Sequence, residues 1–266
     1  MRSLDLDPLA GRAIASQRNE AALFTVVATL AATSSVAFLS KDSFFYVYSL
    51  IPAYTTVFML VVTRQINSPN TYQSLGIGSA AWKYWPAAIV AAVVPFLLVW
   101  SACPWFNQAR VSEVDWMQFA YMLPSWFFTA FGEEVGWRGY WLPRLCSLGR
   151  LKTTLITGTF WSMWHFPLYF AGFEEADTDL LVTIAMSTLT IYPFVFILNE
   201  LRLQSKSIWP GVMFHALANV ALVLLFADPE SASPVIGGMQ IVALTAVAAV
   251  LLVLGRAGRR GSVTPR

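Results

Sequence analysis

The sequence predicts an all-α fold, a polytopic membrane bundle of about eight transmembrane helices with both termini in the cytoplasm. Three observations carry that expectation. Of the 266 residues, 57% are apolar and 12% charged, a balance far from that of soluble domains. Windows of about 17–25 apolar residues, long enough to cross a ~30 Å hydrocarbon layer as helix, recur along the chain. Finally, all of the 17 Lys and Arg except Lys41 and Arg110 fall in alternate segments between those windows, a bias that the positive-inside rule reads as orientation.

The windows follow in order. Residues 1–20 are polar and the apolar run after them is too long for a signal-peptide core, so 21–39 is the first span. The second, 43–63, contains Pro52; Arg64 and Lys83 lie in the link to the third, 84–101, which contains Pro86 and Pro95. At that boundary Trp82, Tyr84 and Trp85 read as an interfacial belt. The fourth, 116–137, is the least apolar because it runs into "AFGEEVGWRGYWLPR". A span of mixed polarity can line a protein-enclosed cavity, so it is kept. Arg138, Arg144, Arg150 and Lys152 precede the fifth, 154–171, and Arg202 and Lys206 separate the sixth, 179–199, from the seventh, 208–227. The eighth, 235–254, ends at Arg256, Arg259, Arg260 and Arg266. Pro124, Pro167 and Pro193 add kinks or ends.

With Arg2, Arg12 and Arg18, these cations place both ends inside the cell, and Glu174, Glu175, Asp177, Asp179, Asp228 and Glu230 collect on the other side. Cys103 and Cys146 then lie near opposite faces and cannot form a disulfide. No connection is long enough for a folded soluble domain. The expected organisation is a polar N-terminal segment, 1–20, one transmembrane domain, 21–254, and a basic tail, 255–266. A short basic tail after a span marks orientation or touches anionic lipid, so the expected partners include the bilayer but no nucleic acid.

The opening charges of 130–144 need a partner or a cavity, since an ionisable group in a lipid-facing helix costs about 2.5–3.5 kcal/mol on insertion scales. Glu134 and Arg138, four apart, share a helix face and pair well. Glu133 is rotated by about 100° and points elsewhere. Gly132 and Gly136 let another backbone approach. The chain has two histidines, His165 and His215, both inside predicted spans. His215 and Asn219 project from one helix face, and Trp161 stands one turn before His165, placed to pack over its ring. A carboxylate, two imidazoles and an amide converging in apolar surroundings form an inventory for activating water. Counting from the basic loops puts Glu133 and His215 roughly 6–11 Å deep at about 1.5 Å per residue.

The motifs EEVGWR, WSMWH and HALAN resemble the Glu-Glu-x-x-x-Arg, aromatic-x-x-x-His and His-x-x-x-Asn motifs of the intramembrane proteases that include the CAAX prenyl endopeptidases and the bacteriocin-processing and immunity enzymes. The similarity covers about 116–226. The family's second motif usually begins with Phe, where this chain has Trp161. The resemblance implies an endopeptidase acting near the cytoplasmic membrane face on a peptide or membrane-protein substrate, of prenylated or leader-peptide type. It implies Glu133 as general base holding water with His165, Glu134 and Arg138 as braces, and His215 and Asn219 as oxyanion donors. Glu133, His165 and His215 also match a zinc ligand set in type, without the His-Glu-x-x-His spacing that would mark one; zinc and metal-free routes both stay open. The same polar pocket would also serve a proton-coupled transporter, or an immunity protein without turnover. A transporter would more often show repeated halves, which this sequence lacks.

Overall fold

Backbone amides in hydrocarbon have no water to bind, and a helix satisfies them within one segment. The computed structural model describes residues 14–38, 41–108, 113, 115–170, 180–226 and 234–261, and among these the regular structure is helical. The helices are α1 (Ile14–Phe38), α2 (Lys41–Val62), α3 (Thr71–Leu75), α4 (Trp85–Ala102), α5 (Trp116–Glu134), a π-helix (Val135–Trp141), α6 (Leu142–Leu145), α7 (Arg150–Phe170), α8 (Leu180–Ser205), α9 (Trp209–Phe226) and α10 (Pro234–Gly261). The long ones, α1, α2, α4, α5, α7, α8, α9 and α10, coincide with the eight predicted windows. Four stretches, 82–106, 180–205, 209–226 and 234–253, are long and apolar enough to cross a membrane by composition alone. The chain is a polytopic helical membrane protein. Arg2, Arg12, Arg110, Arg266 and the acidic residues Glu174, Glu175, Asp177, Asp179, Asp228 and Glu230 lie outside the described residues, as do the side chains of Lys41, Arg256, Arg259 and Arg260.

The innermost helix is α9, more than half of it buried. It packs against α4, α5 and α8; α8 also packs against α7 and α10, and α2 lies between α1 and α5. Helix α5 starts where Asp115 caps it, its carboxylate accepting from the Met117 and Gln118 amides at 2.9 and 3.0 Å. Its first half is largely exposed, and burial begins at Thr129. The close approach expected of Gly132 and Gly136 is made by α2: a methyl at Gly136 would lie 2.4 Å from Pro52 Cβ, and one at Gly132 2.6 Å from Leu50 Cδ2. Cys103 and Cys146 are both free.

Two features differ from the sequence expectation. The fourth window does not continue as α-helix to 137. It widens after Glu134 into the π-helix, where Leu142 N–H reaches back five residues to the Trp137 carbonyl. Rings from α1 and α7 surround this turn: Phe24 stacks on Tyr140 at 5.4 Å, Trp164 meets Trp137 edge-on at 5.1 Å, and Phe160 lies 5.1 Å from Trp141. The second difference concerns charge. Arg138, Arg144 and Arg202, counted above among loop cations, are all buried, because each finds internal acceptors. Arg144 Nε binds Glu20 Oε2 at 2.9 Å, its plane lies 3.4 Å from the Tyr140 ring centre, and Tyr140 O–H donates to the same carboxylate at 3.2 Å.

Candidate active site

The site forms where the end of α5 meets the middles of α7 and α9. Trp161 of α7 is its hub. The indole Nε1–H donates to Glu133 Oε2 at 2.9 Å, and its ring lies 5.6 Å from the His165 ring and 5.3 Å from the His215 ring. Four residues after Glu133, Trp137 donates its own Nε1–H to the same oxygen at 3.3 Å. Two indoles therefore orient one half-buried carboxylate without neutralising it, and neither can give up its proton as an acid would.

Glu134 is fully buried and serves a different set. Its Oε1 accepts from Arg138 Nη1 at 3.1 Å and from His215 Nδ1 at 3.0 Å. The Arg138 guanidinium also sits 4.9 Å from the centre of the Trp161 ring. Glu134 Oε2 and Arg138 Nε are buried with no protein partner, and Gly211 of α9 leaves room beside that oxygen, since a methyl there would stand 3.5 Å away. Removing one partner of this desolvated pair would leave an uncompensated charge, while the link from α5 to α9 is the His215–Glu134 contact.

Hydrogen bonding decides which imidazole nitrogens face the site. His165 Nδ1 lies 2.7 Å from the Trp161 carbonyl; a carbonyl only accepts, so Nδ1 carries the proton and Nε2 keeps its lone pair. His215 Nδ1 faces the Glu134 carboxylate, which leaves its Nε2 for other contacts. Asn219 is half-buried one turn further along the same face of α9. Phe194 of α8 closes the wall, 5.6 Å edge-on from His215 and 5.6 Å from Trp161.

The structure thus joins Glu133, Glu134, Arg138, Trp161, His165 and His215 in one contact network, with Asn219 alongside. The expected Glu134–Arg138 pair is present. Its connection to His215 was not read from the sequence, which put His215 with Asn219 at the substrate or with Glu133 and His165 in a zinc set. Trp161 meets the His165 ring edge to face at 62° and is a hydrogen-bond donor besides. Trp137 and Phe194 were missed. The four-residue spacing of Glu133 and Trp137 is a signal that could have found the first; nothing local marks the second. For the zinc set, no group of three His, Cys, Asp or Glu side chains among the described residues is gathered closely enough to hold a metal ion. In this arrangement two indoles engage Glu133 Oε2, and Glu134 engages His215 Nδ1.

A carboxylate fixed by neutral donors, one of which also contacts an imidazole, has the chemistry to polarise a water and take its proton. Comparison with known proteins adds to this geometry. The model of the family described as type II CAAX prenyl endopeptidase Rce1-like matches residues 115–221. The CAAX prenyl protease 2 of Methanococcus maripaludis is 36% identical over 99 residues, 35% of this chain and 36% of that protein. The match thus spans about a third of the relative's length. All the motif residues and the π-helix fall within the matched family region. That helical core, residues 115–221, is thus similar to the CAAX prenyl endopeptidases, and the similarity covers the part of the chain that carries the site.

Proposed function

We propose that this protein is an endopeptidase that hydrolyses a peptide bond near the cytoplasmic membrane face with water activated by Glu133 and His165. The observation that carries the reading is the Glu133–Trp161–His165/His215 network, in which α5, α7 and α9 each supply polar side chains. Water held between the Glu133 carboxylate and His165 Nε2 loses a proton to Glu133 as it attacks the carbonyl carbon. His215 Nε2, when its ring carries both protons, and the Asn219 amide donate to the developing oxyanion. Glu133 then returns its proton to the leaving amine. Glu134 and Arg138 fix the ring of His215 through Nδ1. The relative's name makes a prenylated C-terminal peptide the first substrate to test, with leader peptides second.

The test uses the full chain purified in detergent and a prenylated peptide. Glu133→Gln and His165→Ala each abolish cleavage while keeping the folded yield; undiminished turnover in either variant rejects the assignment. Elemental analysis of the active preparation belongs to the same experiment. Full turnover is expected with metal far below one ion per chain, and activity that tracks bound zinc would replace the metal-free route.

A further inference from the structure

The π-helix Val135–Trp141 directly follows Glu133 and Glu134, so its register sets how both carboxylates and Arg138 face α7 and α9. At its end the Leu142 N–H is committed to the Trp137 carbonyl, five residues back. The same spacing aims the Arg138 carbonyl at the N–H of position 143. That position is proline and has none to give. A buried carbonyl needs a donor from somewhere.

Arg202, near the end of α8, supplies it. Its Nε donates to the Arg138 carbonyl at 3.1 Å and its Nη2 to the Ser74 carbonyl at 3.0 Å. The side chain is 1% exposed, and among the described residues no carboxylate lies within ion-pair distance of it. A buried cation without a counter-ion is costly, so its retention points to what its hydrogen bonds hold. Its seat is specific. Gly76, at φ +76°, lies so close that a methyl there would be 2.8 Å from the guanidinium carbon, and the Gly76 carbonyl accepts from the Ile208 amide at 3.0 Å just ahead of α9. The guanidinium therefore links α8, the π-helix and the segment preceding α4.

We infer that Arg202 is a positioning residue for the Glu133–His165 centre: its guanidinium stands in for the N–H that Pro143 lacks and holds the turn in π register. The catalytic consequence rests on the peptidase reading above; the lock itself does not. Lys, a point charge on a flexible stem, cannot span two carbonyls as the planar fork does.

The experiment compares Arg202→Met, Arg202→Lys and the double variant Arg202→Met/Pro143→Ala with the unaltered full chain in detergent. Cleavage is expressed per folded protein, and amide hydrogen exchange is followed in fragments covering 137–145. Arg202→Met is expected to lower kcat by about 10²-fold, as a misplaced catalytic group does, with KM within about twofold. Exchange at Leu142 speeds up in both single variants, and Arg202→Lys does not restore kcat. In the double variant the new amide slows exchange again and recovers at least about tenfold of the lost rate. Unchanged exchange in Arg202→Met, wild-type kcat in Arg202→Lys, or no recovery of either readout in the double variant overturns the lock. Should Arg202→Met not fold, Arg202→Lys carries the exchange measurement, with faster exchange supporting the lock and unchanged exchange overturning it. Cleavage that survives Glu133→Gln would overturn the peptidase reading and leave the exchange result standing.

Discussion

At the scale of single residues, the site separates into groups that are half-buried and groups that are sealed. Glu133, His165 and Asn219 are half-buried, whereas Glu134, Arg138, Trp161 and His215 are buried. In the proposed reaction the first set and the Nε2 edge of His215 meet water and substrate, and Glu134, Arg138 and Trp161 aim them. Truncating His215 or Asn219 to Ala should then lower kcat by about 10²–10³, the loss measured for oxyanion donors elsewhere. A change confined to KM would assign them to binding instead. The carboxylates, imidazoles and amide were legible in the sequence because ionisable groups in an apolar chain stand out against their cost in lipid. The indole donors were not. Tryptophan is abundant in this chain, and only the folded arrangement separates Trp161 and Trp137, which bind Glu133, from Trp82 and Trp105, which are exposed.

At the scale of elements, the informative part is the turn after α5. Its i,i+4 pairs are compatible with either an α- or a π-helix, so spacing alone could place Glu134 near Arg138 without showing that the backbone widens. What the sequence does contain are the reasons for it: Gly136 and Gly139 admit neighbouring backbone, and Pro143 removes one donor. Gly136→Ala would press a methyl to 2.7 Å from the Pro52 carbonyl. Since α2 cannot retreat without uncovering the site helix, a loss of about 1–3 kcal/mol or more is expected, read as a lower Tm in detergent. Gly238→Ala in α10, with nothing within 4 Å of the added methyl, is the control and is expected to keep or raise Tm, since Ala favours helix over Gly. Equal Tm values for the two variants would mean that α2 does not bear on this turn.

At the scale of the molecule, the length of each span was readable because hydrocarbon thickness sets it, and the eight windows match eight long helices to within a few residues at most ends. Helices α1, α2, α5 and α7 are more mixed in polarity than the other four, which fits their contacts with the polar network and the buried Glu20–Arg144 pair. Orientation is a separate prediction. Reporters fused to either terminus should both respond from the cytoplasm; a terminus reporting from the other side would reverse the charge argument and move Glu133 to the opposite leaflet. The sequence by itself determined the helical membrane class, the approximate spans and the identities of the polar groups, because hydropathy and charge act locally along a chain. Only the tertiary structure decided that His215 shares Glu134 with Arg138, that two indoles hold Glu133, and that Arg202 reaches the Arg138 carbonyl. Those partners are 28 to 81 residues apart, apart from neighbours on one turn, and nothing but packing brings them within hydrogen-bond range.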